Sequence, residues 1–181
     1  MKYLKIIIPL IFLIFMGITI SCERDDICPE STPTTPNLII EFYESTDPET
    51  ASFVPKLRVQ GIDNSDVLEG YNAANTKELK LPLKTDSNIT QYRLHRDYSI
   101  NDNGTPNDTS DDFANGNEDI ITIKYTTELV FVSRACGYKT IFKNVSLTIE
   151  PDSDNWIKSR QSVNDNQSVE DETTAHFYLF F

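Results

Sequence analysis

Apolar residues in this chain recur at every second position, and no stretch shows the three-and-four spacing of a long amphipathic helix. Leu38, Ile40 and Phe42 alternate with Ile39, Glu41 and Tyr43, and Leu57 and Val59 with Lys56, Arg58 and Gln60. Leu79, Leu81 and Leu83 alternate with Lys80, Pro82 and Lys84. Pro82 cannot donate to a ladder, which puts that segment at a sheet edge. Tyr92, Leu94 and Tyr98 form a further set, and Val145, Leu147 and Ile149 another. Ala175, Phe177, Leu179 and Phe181 close the series. Strict alternation is the pattern of strands with one face buried. From Ile121 to Ser133 one parity is apolar throughout (Ile121, Ile123, Tyr125, Leu129, Phe131), and the other turns apolar at Val130 and Val132. The second half of that segment is therefore expected to be buried on both sides. Around Trp156 there is room for one short turn at most. Seven or eight mostly antiparallel strands separated by Asn, Asp, Gly and Pro predict an all-β fold, a β-sandwich of immunoglobulin-like or similar type.

A chain of 181 residues with 39% apolar content can build one such core. Its formal charge of −12 argues against nucleic acid as a partner, because duplex affinity rests on Lys and Arg neutralising phosphates. Two histidines and three cysteines offer little material for a metal site, and no cofactor is expected.

The N-terminus sets the compartment. Lys2 and Lys5 precede a run from Ile6 to Ile20 that is apolar apart from Gly17 and Thr19 and interrupted by Pro9. It is short for a membrane-spanning helix, which needs about 20 residues, and has the layout of a secretory leader. The run ends Thr19-Ile20-Ser21-Cys22, a small residue directly before cysteine. This resembles the lipobox of bacterial lipoproteins and departs from it at Thr19, where an aliphatic residue is usual. The resemblance implies cleavage before Cys22 and acylation of that residue, giving a membrane anchor through the N-terminal lipid. Glu23-Arg24-Asp25-Asp26 then resembles the acidic surface-export signal of Bacteroidota lipoproteins, or serves as a solvated tether. Pro29, Pro33 and Pro36 with intervening Ser and Thr make an extended spacer. The chain thus divides into a leader (1–21), an acylated cysteine and tether (22–36) and one sandwich domain (37–181).

Cys22-Glu23-Arg24-Asp25-Asp26-Ile27-Cys28, Thr35 through Tyr43, Val132-Ser133-Arg134-Ala135-Cys136-Gly137-Tyr138, Asn155-Trp156-Ile157 and Ala175-His176-Phe177 together resemble a lipoprotein family of unknown function found in flavobacteria and other Bacteroidota. The resemblance implies an outer-membrane or cell-surface lipoprotein and carries no chemistry with it.

With Cys22 acylated, Cys28 and Cys136 remain. Cys136 stands near Arg134, a setting that lowers a thiol's pKa. An oxidising compartment and an even remainder favour a Cys28–Cys136 disulfide instead. Cys28 lies six residues beyond Cys22, so such a bridge would hold the turn at Gly137 within roughly 20 Å of the anchored residue.

Among candidate sites, residues 101–119 hold six acids and no base. Asn101, Asn103, Asp108, Asp111 and Asp112 offer oxygens of the kind Ca²⁺ takes. However, aligning Gly104 with the turn position of an EF-hand loop puts Ser110 where a bidentate Glu is required, so a solvated loop is the simpler expectation. His95 and His176 have no second ligand at metal spacing, and no nucleophile elbow or phosphate loop is present. The aromatic closing segment 176–181 looks like the final strand of an outer-membrane barrel, but the strand at Leu79–Leu83 is short and carries Lys80 and Lys84 outward. These observations lead to a non-enzymatic interaction or assembly module of the envelope, partnered by the membrane and by another envelope protein such as an outer-membrane barrel. The alternative is a ligand-binding sandwich for a glycan or a calcium-dependent partner, using the acidic loop and exposed Tyr98 and Trp156.

Overall fold

A computed structural model describes residues 27–181. The leader, Cys22 and the acids of the tether lie outside the described residues. Ten strands are present: β1 (Leu38–Glu44), β2 (Asp47–Ala51), β3 (Val54–Gly61), β4 (Ala74–Thr76), β5 (Glu78–Leu81), β6 (Ile89–Asn101), β7 (Phe113–Ser133), β8 (Gly137–Ile149), β9 (Ser159–Ser162) and β10 (Phe177–Phe180). They form two five-stranded sheets, one ordered β2-β1-β10-β9 with β5 also paired to β1, the other β4-β3-β6-β7-β8. The fold is an all-β, mostly antiparallel sandwich, and β1·β10 is its parallel pair. The sequence predicts seven or eight strands. The additional ones, β2, β4 and β9, are short, polar and largely exposed, so no apolar alternation announces them.

The inner faces follow the period-two pattern. Leu38, Ile40 and Phe42 of β1 are fully buried, as are Leu57, Val59, Leu79, Leu81, Leu94, Ile121, Ile123 and Leu147. β5 pairs only with β1 in this sheet, and Pro82 lies just past its end, at an edge as expected. Where parity changes along a strand, a residue with positive φ absorbs the switch. Lys56 (φ 44°) sits in the irregularity between Val54 and Leu57 of β3, and its N–H donates to Asn75 Oδ1 at 2.9 Å. Asp97 (φ 56°) does the same between Arg96 and Ser99 of β6. Bulges of this kind add one residue to one strand and so exchange its faces. Facing the second bulge, Gly116 has φ 110°, and a Cβ there would stand 2.2 Å from the Arg96 carbonyl oxygen, so the backbones approach only because the side chain is missing.

The second half of β7 departs from the expectation of burial on both sides. Its register with β6 ends at Ile89↔Lys124, and beyond that residue β8 is the strand beside β7 among the described residues. Leu129 and Phe131 are 69% and 57% exposed. Alternation fixes which residues share a face, but a face is buried only where another layer covers it.

By contact density the described residues form two compact units. One comprises residues 33–130 and 139–181 and holds the sandwich core; the other comprises residues 27–32 and 131–138.

Asp119 shares the inner parity of Ile121 and Ile123 and is fully buried. Its carboxylate accepts the backbone N–H of Trp156 at 3.2 Å and of Ile157 at 2.8 Å. The Trp156 indole N–H donates to the Leu94 carbonyl at 3.1 Å. These bonds draw Trp156 into the core at 5% exposure, where its ring meets Phe42 and Phe181. Burial pushes the Asp119 carboxyl above the usual carboxylate range, partly offset by its N–H donors. Asp119→Ala leaves two buried donors unsatisfied at roughly 1–3 kcal/mol each. Denaturant unfolding should show a loss of about 2–6 kcal/mol with exposure of Trp156 fluorescence; a loss under about 0.5 kcal/mol would show that the loop is held by other means.

Candidate functional site

In the smaller unit, Cys28 and Cys136 form a disulfide with Cα atoms 4.9 Å apart and a sequence separation of 108. Closing a loop of this length stabilises by up to roughly 4–5 kcal/mol in the chain-entropy model. The bridge sits at the turn between β7 and β8. Gly137 takes φ 70° with open space around its Cα, and the Cys136 N–H donates to Ser133 Oγ at 3.0 Å. These two features make the tight turn. Around it stand Ile27 (79% exposed), Phe131 and Tyr138 (66%). The Phe131 and Tyr138 rings meet edge to face with centroids 5.4 Å apart. A shallow groove of about 480 Å³ beside the bridge is lined by Ile27, Pro29, Thr32, Val132 and Arg134. Arg134 is exposed and makes no ion pair among the described residues.

The larger unit holds an open groove of about 530 Å³ between the segment 61–69 and the start of β6, with Asp63, Leu68, Lys84 and Tyr92 on its walls. Lys84 Nζ pairs with Asp63 at 3.0 Å, and the Tyr92 hydroxyl donates to the Pro82 carbonyl. Burial pushes the Tyr92 phenol up, so it stays protonated.

The two histidines stand apart, one on a strand of one sheet and the other just before a strand of the second. His95, on β6, has Nδ1 3.7 Å from Glu118 and its ring edge-on to Tyr98. His176, just before β10, is 5% exposed, and its Nδ1 accepts the Ile39 N–H at 2.9 Å. That acceptor role places the neutral ring's proton on Nε2. Tyr98 is half-buried, with the Arg58 guanidinium 4.4 Å above its ring. Trp156, expected at the surface, lies in the core for the reasons given above. The aromatic pair proposed for a glycan is therefore not available as a surface.

The acidic loop spends its oxygens on its own turns. Asn101 Oδ1 accepts the Asn103 N–H at 2.9 Å, and Asp108 Oδ1 accepts from Ser110. Asp111 accepts from Asn103 Nδ2 at 3.1 Å and from the Thr105 hydroxyl. These bonds hold the Asp108 and Asp111 carboxyls below the usual range. Asp112 is half-buried, with Oδ1 shielded from solvent and unpartnered. Among the described residues, no group of three or more His, Cys, Asp and Glu stands close enough to hold a metal ion.

Two features escape sequence reasoning. The inner position of Asp119 is legible only from its parity with Ile121, and the exposure of Phe131 and Tyr138 has no sequence signal. What the geometry defines is a disulfide-bridged all-β sandwich domain. The chain belongs to the Family of unknown function (DUF6452), whose model matches residues 56–181. No curated protein and no solved structure matches it.

The His176 contact has a pH signature. Burial, the largest cause, lowers its pKa, and the neighbouring Asp171 carboxylate opposes this. The unfolded chain then takes up the proton first as pH falls. The stabilisation is complete above about pH 6.5 and is lost as pH falls below it through the folded-state value. Urea unfolding measured across this range should show that acid slope. In His176→Asn, whose Oδ1 can still accept the Ile39 N–H, the slope should flatten; an unchanged slope would assign it to other groups.

Proposed function

We propose that the chain is an outer-membrane or cell-surface lipoprotein of the Bacteroidota type. It is anchored through acylated Cys22 and serves as a non-enzymatic interaction or assembly module of the envelope. The observation that carries this reading is the Cys28–Cys136 bridge. It occupies two of the three cysteines and leaves Cys22, directly behind a secretory-type leader, as the third. A structural disulfide also belongs to an oxidising compartment. The non-enzymatic part is supported by the separation of His95, on β6, from His176, just before β10, whose Nδ1 is taken up by the Ile39 N–H. An integral outer-membrane barrel is the partner class that the location suggests.

Fractionation of cells expressing Cys22→Ser tests the anchor. The variant should move to the soluble fraction or keep its leader, whereas membrane retention with normal cleavage at the same site would overturn the lipoprotein reading. The wild-type chain, tagged and recovered from membranes, should carry a reproducible envelope partner. Recovery alone in repeated experiments would remove the assembly role.

A further inference from the structure

We propose that the bridged turn between β7 and β8 is a membrane-contacting tip, whose Phe131 and Tyr138 rings and Ile27 side chain seat in the interfacial layer of the bilayer that holds the anchor. The inference rests on the lipoprotein reading and adds a second point of contact with the lipid. Three observations lead to it. The first is length. Cys28 follows Cys22 by six residues and is covalently joined to Cys136 with Cα atoms 4.9 Å apart, so the Cys136 end of the tip stays within roughly 25 Å of an acylated Cys22 in any conformation of the tether. The second is chemistry. Ile27, Phe131 and Tyr138 are 79%, 57% and 66% exposed, and the paired rings present an apolar body with one phenolic hydroxyl. Aromatic residues of this kind concentrate at the headgroup level, where one end is apolar and the other wet. The third is charge. In a chain of −12, residues 27–32 and 131–138 carry one acid, Glu30, and one base, Arg134, while the net −2 of Glu23, Arg24, Asp25 and Asp26 lies in the tether before them. The tip is thus nearly neutral, and its exposed guanidinium can meet a lipid phosphate.

Tethering makes the contact intramolecular. A tip with weak affinity for lipid is then held at high effective concentration beside it, and no large apolar area is needed. The acidic remainder of the chain gains nothing from approaching an anionic surface, so the tip is the part that touches.

The test uses the full acylated chain, purified and reconstituted into phosphatidylethanolamine–phosphatidylglycerol vesicles with brominated acyl chains, which quench indole on contact. The native chain has one tryptophan, Trp156, which is 5% exposed and sets the unquenched background. Tyr138→Trp, and separately Phe131→Trp, add an indole at the tip. Flotation and the mass of the N-terminal peptide report the anchor independently. In chains that float and are acylated, emission of the added indole should fall about twofold against unbrominated vesicles, with the native chain unchanged. An acylated, floating chain whose added indole is unquenched at both positions overturns the tip and leaves the lipoprotein reading standing. An unquenched but blue-shifted indole shows a protein surface, a second copy or a partner, covering the tip, and overturns the lipid assignment. Equal quenching of the native chain overturns it as well. A chain that is neither acylated nor floats overturns both readings.

Discussion

Strand β1 is the part of the fold on which the rest depends, because both of its edges and its inner face are committed. On one side β5 and β2 share its edge, pairing with Leu38–Glu41 and with Tyr43 and Glu44 respectively. On the other lies β10, in parallel register from Ile40↔Phe177 to Tyr43↔Phe180. The parallel pair is set by an exchange at its mouth. The His176 N–H donates to the Ile39 carbonyl at 2.8 Å while the Ile39 N–H donates to His176 Nδ1. A side chain thus supplies the acceptor that begins the ladder, and does so at a buried site where an unpaired amide would be costly. On the outer face Tyr43 stacks against Tyr178 and Phe180 at 5.1 and 5.8 Å, and its hydroxyl donates to Glu41, which pushes the phenol up to about 12. The covalent neighbours of β1 are far from β10 in sequence, so this sheet exists only once distant parts of the chain have met.

Much of this was legible from alternation alone. The inward residues of β1, β5, β6 and β10 are those that the period-two pattern picks out, and the edge position of β5 follows from Pro82. The rest was hidden for identifiable reasons. The parity of β3 changes between Val54 and Leu57 because Lys56 adopts a positive φ, and lysine is not a residue that announces such a conformation. Trp156 looks like surface because its neighbours Asp154, Asn155 and Lys158 are polar. It is buried by a carboxylate, Asp119, and a carbonyl, Leu94, that lie far away in sequence. The outer half of β7 reads as core because it is rich in Leu, Val and Phe. Its exposure depends on where β6 begins, and a strand cannot report its neighbour's length.

The candidate site divides in the same way. Cysteine arithmetic located the bridge, since three cysteines with Cys22 assigned to acylation leave a single pairing. The exposed rings beside it were invisible, because hydrophobicity at a position states a preference and not whether a partner layer satisfies it. Family membership covers β4 to β10 entire and most of β3. The matched span holds Cys136 but not Cys28, so one half of the bridge lies outside it.

The bridge has a topological consequence. Strands β1 to β7 all lie between Cys28 and Cys136, inside one covalent ring, whereas β8, β9 and β10 lie outside it. The exposed, acid-rich segment 102–111, a place where a protease would readily cut, is part of that ring. A single cut there opens the ring without dividing the molecule. The N-terminal piece, with β1 to β6, stays joined through sulfur to the piece carrying β7 to β10. Both sheets then retain all their strands, and a nicked chain remains one covalent body, still continuous from its N-terminus to Phe181.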